Sequence, residues 1–150
     1  MKKIHTILII LFALYLNVNA QKPSYDSTLA KKLGADEYGM KMYVFVMLKT
    51  GSNVSTDKVA RQKAFDGHMK NIQKMADEGK LAVAGPFEKG GTHRGLFILN
   101  VITFEEANKL LEGDNAIKEK YLEPELIQWY GSASLLETPE IHKTIQKKHF

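Results

Sequence analysis

Seven consecutive residues, Met42 to Leu48, are apolar without a break, and this run constrains everything packed around it. In an extended strand Met42, Val44, Val46 and Leu48 point one way and Tyr43, Phe45 and Met47 the other, so both faces need cover. After a turn at Thr50 to Asn53 the apolar period changes from two to three and four. Ser55, Thr56 and Asp57 offer helix caps. Ala64, Phe65, His68, Ile72, Met75 and Ala76 then share one stripe, opposite Lys63, Asp66, Lys70, Lys74 and Asp77. The spacing predicts a helix running to Glu78, with Gly79 as its stop. Leu81 to Phe87 and Arg94 to Val101 read as two strands joined across EKGGTH, whose paired glycines suit a hairpin loop. Thr103 and Glu106 stand at capping-box spacing ahead of Phe104, Ala107, Leu110 and Leu111, the apolar face of a second helix stopped by Gly113. Asp114 follows as cap of a short turn, NAIKEKY, and past Pro124 the run ELIQWY predicts a last strand continuing to Leu136.

The order strand, helix, strand, strand, helix, strand is the split βαβ arrangement, with two helices over one face of a four-stranded antiparallel sheet. Nothing in the pattern covers the other face. Because Tyr43, Phe45 and Met47 make that face apolar too, two chains are expected to pack sheet against sheet as a homodimer.

The two ends lie outside this pattern. Residues 1–20 carry Lys2 and Lys3, an apolar run from Ile7 to Leu16, and Val18 and Ala20 at the small-residue positions of a cleavage site. This reads as a secretory signal, so an exported protein starting at Gln21, in the periplasm or outside the cell, is expected. An uncleaved anchor would want a longer run, since a spanning helix needs about 20 apolar residues. Residues 21–40 read as an arm or short helix, residues 41–136 as one α+β domain, and residues 137–150 as a charged, basic tail with helical potential.

Composition then narrows the function classes. The chain has 21 basic and 17 acidic residues; loss of Lys2 and Lys3 with the leader leaves 19 and 17, a net charge of +2. That balance, with lysines scattered among acids, does not suit nucleic acid. RGLFILNV lies where an RNA-recognition strand carries its stacking rings, but Leu96, Ile98 and Val101 replace them. There is no cysteine, which removes disulfides, thiolate nucleophiles and Cys-based zinc sites.

His68, then Glu78-Gly79-Lys80-Leu81, Ala84-Gly85-Pro86, a glycine-bearing hairpin, the pair Glu106-Ala107, Asp114 and a final strand with Trp129 follow in an order that resembles the YCII-related (YciI-like) family. The likeness spans Tyr43 to Leu135. It implies a ferredoxin-like βαββαβ domain that dimerises, with a histidine and an aspartate in a cleft proposed as an active site; these fall on His68 and Asp114. One branch of the family removes chloride from a chlorinated hydroquinone, and the fold is similar to that of muconolactone isomerases. The chain departs from the pattern at Asn115-Ala116, where many relatives have proline and an aromatic residue, which affects the shape of the pocket.

On its own, His68 reads either as a packed core histidine or as a reactive imidazole, and the resemblance favours the second. Asp114 reads as a helix cap that also orients the ring. The chemistry this implies is proton transfer on a small ring or carbonyl compound, as isomerisation or elimination with halide loss. Arg61, two turns earlier on the stripe, is a candidate for holding an anionic substrate group, against the alternative of a side chain that snorkels to water. Gly85-Pro86 reads as a structural strand end, and Tyr43 and Trp129 as rings of either the cleft or the dimer core. His68, His93 and Asp114 lack local metal-ligand spacing, so no metal is expected. Related dimeric α+β barrels bind haem, but no residue here is placed as an axial ligand, and no cofactor is expected. The rival to an enzyme is a non-enzymatic dimer that keeps the cleft as a pocket for a small ligand or cell-envelope partner.

Overall fold

The computed structural model describes residues 24–148; the predicted leader, residues 1–20, lies outside them, as do residues 21–23 and 149–150. The arm contains a helix, α1 (Ser27–Leu33). Asp26 caps it by accepting the backbone N–H groups of Thr28 and Leu29 at 3.0 and 2.9 Å, and Gly34 ends it in the left-handed region at φ 67°.

The apolar run becomes β1 (Met40–Thr50), which lies inside one antiparallel sheet with β2 (Leu81–Pro86), β3 (His93–Leu99) and β4 (Leu122–Ser132), ordered β2-β3-β1-β4. β1 pairs with β4 from Met40 opposite Ser132 to Thr50 opposite Leu122, and with β3 from Val44 opposite Leu99 to Lys49 opposite His93. Between and after the strands come α2 (Lys58–Asp77), α3 (Phe104–Leu111), α4 (Asn115–Lys118) and α5 (Thr138–Ile145). The described residues thus form an α+β unit of one four-stranded antiparallel sheet and five α-helices, consistent with a ferredoxin-like fold.

The two faces of β1 enter two apolar clusters. Val44, Val46 and Leu48 join Phe97 and Leu99 of the sheet, Ala64 and Met75 of α2, Ala107 and Leu111 of α3, and Ala116 of α4. Tyr43 joins Ala82 and Ile98, with Phe45, Val83 and Leu96 at the margin.

Two expectations change at the end of the domain. The last strand starts at Leu122, earlier than ELIQWY, with Pro124 opposite Leu48 on an edge strand, where a residue without an N–H is accommodated. It also ends at Ser132 instead of reaching Leu136. Ala133 donates its N–H to the Gly39 carbonyl at 2.9 Å, and Ala133–Glu137 turns as a 3₁₀ helix. That turn lays Leu135 and Leu136 against the cluster of Tyr43, Ala82 and Ile98. The second sheet face, which the strand pattern left bare, is therefore partly covered by the chain itself. Lys32 meets Glu137 at 2.9 Å, tying α1 to the same segment.

Candidate active site

α2 starts at Asp57, whose carboxylate accepts the Val59 and Ala60 N–H groups at 2.9 and 3.0 Å, so the third of the three cap candidates takes the role. Once the helix is in register, its buried face carries Ala64, His68, Asn71 and Met75. Across from it, α3 begins with the predicted capping box: Glu106 donates its N–H to the Thr103 hydroxyl, while the Glu106 carboxylate accepts from the Thr103 hydroxyl and N–H. These bonds, the hydroxyl's first, hold the Glu106 carboxyl below its ordinary range. α3 ends at Leu111, and the chain turns through Gly113 into Asp114.

Asp114 is fully buried and does two things at once. Its Oδ1 accepts the N–H groups of Ala116 and Ile117 at 2.9 and 3.2 Å, which caps α4. Its Oδ2 lies 2.6 Å from Nδ1 of His68, a residue 8% exposed. The capping role and the pairing role predicted for this residue thus belong to different oxygens of one carboxylate. When the carboxylate is ionised it can only accept, so Nδ1 then donates in this bond and Nε2 holds the lone pair of a neutral ring.

Aromatic rings fix the imidazole from two sides. Phe97 of β3 stacks on it with centroids 5.8 Å apart and planes at 29°, and Phe65 meets it edge-on at 5.8 Å and 66°. Among the described residues no buried side-chain nitrogen or oxygen lacks a hydrogen-bond partner, and none of those residues bonds to Nε2. Nε2 is therefore not sealed from solvent, and the His68 side chain as a whole is 10% exposed. This is the arrangement a proton acceptor needs: one nitrogen held and protonated, the other open.

Arg61 makes no hydrogen bond to the imidazole among the described residues. Its guanidinium lies over the Phe65 ring at 5.0 Å and the Tyr121 ring at 5.4 Å, and Phe65 and Tyr121 stand 6.2 Å apart. Arg61 and His68 thus flank the same phenyl ring, and Arg61 forms no ion pair among the described residues. Tyr43 and Trp129, considered for the cleft, belong elsewhere. Tyr43 is fully buried in the second cluster, with its hydroxyl donating to the Ser132 carbonyl at 2.9 Å and its ring tilted 34° against Trp129. Burial raises the Tyr43 hydroxyl above the ordinary tyrosine range. Gly85 and Pro86 end β2 opposite Leu96 and Gly95. His93 opens β3 opposite Lys49, and among the described residues no three His, Asp or Glu side chains converge as metal ligands would.

One buried polar residue escaped the stripe read from the sequence. Asn71 is 6% exposed and donates from Nδ2 to the Leu110 carbonyl at 3.0 Å, which satisfies a carbonyl in the last turn of α3. Its position three residues after His68 was the available signal, since i and i+3 share a helix face.

Comparison of the chain with protein-family models and with curated proteins finds no match.

Proposed function

We propose that this chain is an exported YCII-like protein in which the His68–Asp114 pair carries out proton transfer on a small ring or carbonyl compound. Asp114 holds the ring with Nδ1 protonated, and Nε2 removes a proton from carbon next to a carbonyl. The electron pair left behind enters the enolate. Returning the proton at another carbon completes an isomerisation, and expelling halide from the adjacent carbon completes an elimination. Arg61 supplies a positive group near the cleft for an anionic part of the substrate.

The observation that carries the reading is the 2.6 Å contact between a buried carboxylate and one ring nitrogen, while the other nitrogen has no hydrogen-bond partner among the described residues. A packing histidine needs neither feature. The same reading takes α2 and α3 as covering one sheet face and a second copy as pairing with the other. Ile127 and Trp129, 45% and 37% exposed beside Phe45 and Tyr43 in the register, support the pairing.

The test uses the mature protein in deuterated water with a panel of enolisable ring ketones, unsaturated lactones and halogenated hydroquinones. Deuterium uptake is followed by NMR and halide release by ion chromatography. Catalysed exchange or halide loss that falls by about 10²–10⁴-fold in His68→Ala supports the proposal, that being the span of general-base catalysis. Ligand binding that depends on His68 but brings neither exchange nor halide loss overturns it in favour of a binding protein.

A further inference from the structure

Each member of the buried pair is preceded by a glycine, Gly67 before His68 and Gly113 before Asp114, and each glycine faces an asparagine from the opposite element. A Cβ placed on Gly67 would fall 2.3 Å from Nδ2 and 2.7 Å from Cβ of Asn115, the first residue of α4. A Cβ placed on Gly113 would fall 2.5 Å from Oδ1 of Asn71 on α2. Neither glycine has a positive φ, so what a side chain would meet is close approach: the Asn115 side chain down to its Cβ at Gly67, and the amide oxygen of Asn71 at Gly113.

The consequence is a reciprocal fit. Asn115, next to Asp114 in the chain, seats against the glycine next to His68, while Asn71, one turn beyond His68, seats against the glycine next to Asp114. Asn71 adds a tie through its bond to the Leu110 carbonyl at 3.0 Å and touches Met75 Sδ at 3.8 Å. α2 and the corner between α3 and α4 thus approach closely at two points, one next to His68 and one next to Asp114 in the chain. A hydrogen bond of 2.6 Å needs that approach held to a few tenths of an ångström.

We propose that Asn71 and Asn115, seated against Gly113 and Gly67, are positioning residues that hold Asp114 on Nδ1 of His68 and so keep Nε2 as the open nitrogen. The inference rests on the reading of the pair as a reactive site, but its test does not need a substrate. The ring ¹⁵N shifts of His68 report which nitrogen carries the proton in the neutral ring. They are measured in the mature protein and in Asn71→Ala, Gly67→Ala, the double variant Gly67→Ala with Asn115→Gly, and Asn100→Ala. The last is a control: Asn100 donates to the Gly79 carbonyl at 3.0 Å, a bond of the same kind beyond the C-terminal end of α2.

The parent is expected to hold the Nδ1–H form. Asn71→Ala and Gly67→Ala lower the ratio of Nδ1–H to Nε2–H by roughly threefold to tenfold, a partial loss of a charge-assisted bond. The double variant returns toward the parent ratio because the methyl added at position 67 fills the space that Asn115→Gly vacates, so the contact between α2 and α4 is kept from the other side. Asn100→Ala lowers the melting temperature and leaves the ratio unchanged. A parent-like ratio in Asn71→Ala, or a shift in Asn100→Ala as large as in Asn71→Ala, overturns the proposal; if Gly67→Ala does not fold, this pair still decides. A ratio that responds as described in a protein that exchanges no substrate proton retains the positioning role and removes the proton-transfer reading.

Discussion

Replacing Asp114 by alanine removes three interactions at once, and their sum is large enough to measure. The Ala116 and Ile117 N–H groups lose their acceptor, which for a helix cap costs about 0.5–2 kcal/mol. Nδ1 of His68, inside a residue 8% exposed, loses its partner, and a buried unsatisfied polar group costs about 1–3 kcal/mol. Together these predict a loss of about 1.5–5 kcal/mol. Asp114→Asn should behave differently. Its carbonyl oxygen still accepts the two N–H groups, and its amide then faces the ring as a donor, so the imidazole is driven to the Nε2–H form. Stability falls by only about 1–1.5 kcal/mol, the difference between a charge-assisted and a neutral hydrogen bond. The open nitrogen, now protonated, can no longer accept. The assay is urea unfolding at one fixed protein concentration, which matters for a chain expected to dimerise. With a denaturant slope of about 2 kcal/mol/M, alanine moves the midpoint by roughly 0.8–2.5 M and asparagine by roughly 0.5–0.8 M. An alanine variant within 0.5 kcal/mol of the parent, on the scale of an ordinary surface change, would refute the bond geometry. An asparagine variant that keeps the Nδ1–H tautomer would refute the orienting role of the carboxylate.

Other parts of the fold yield their own tests. Phe97 is 1% exposed and lies between the main core and the imidazole, so Phe97→Ala should cost about 3–5 kcal/mol in urea unfolding and broaden the His68 ring signals; a cost below 1 kcal/mol contradicts the packing. The Asp36 carboxyl lies below the ordinary value of 3.8, chiefly because the Tyr130 hydroxyl donates to it and then because the Met40 N–H does. Its contribution to stability is present above that value and is lost as pH falls through the lower folded value, so Asp36→Asn should flatten the acid limb of a stability profile; an unchanged limb rejects the contact. Ile127→Asp should leave the chain folded but monomeric in sedimentation velocity, whereas a parent that sediments as a monomer rejects sheet pairing.

Much of the fold was legible from local pattern. The period-two run of β1, the stripe of α2 and the Thr103–Glu106 box all appear where the sequence places them, because alternation, helical spacing and caps act over a few residues. The misread parts depended on distant partners. Ser132 ends β4 where local pattern allowed a longer strand, since Ala133 bonds to Gly39 and the apolar pair Leu135-Leu136 has a sheet face to cover. Asn71 was passed over because its amide is polar by composition, and only the packed carbonyl of Leu110 gives it a buried place.

The sequence by itself determined that a histidine would lie on the buried face of α2 and that an aspartate would cap the turn after α3. Tertiary structure alone decided that those two side chains, 46 residues apart, would meet at 2.6 Å with one nitrogen held and the other open. The reason is one of range. Propensity and amphipathic period assign each residue to a face of its own element, but the distance between elements is set where surfaces interlock, here at two glycines whose missing side chains let the helix and the corner close.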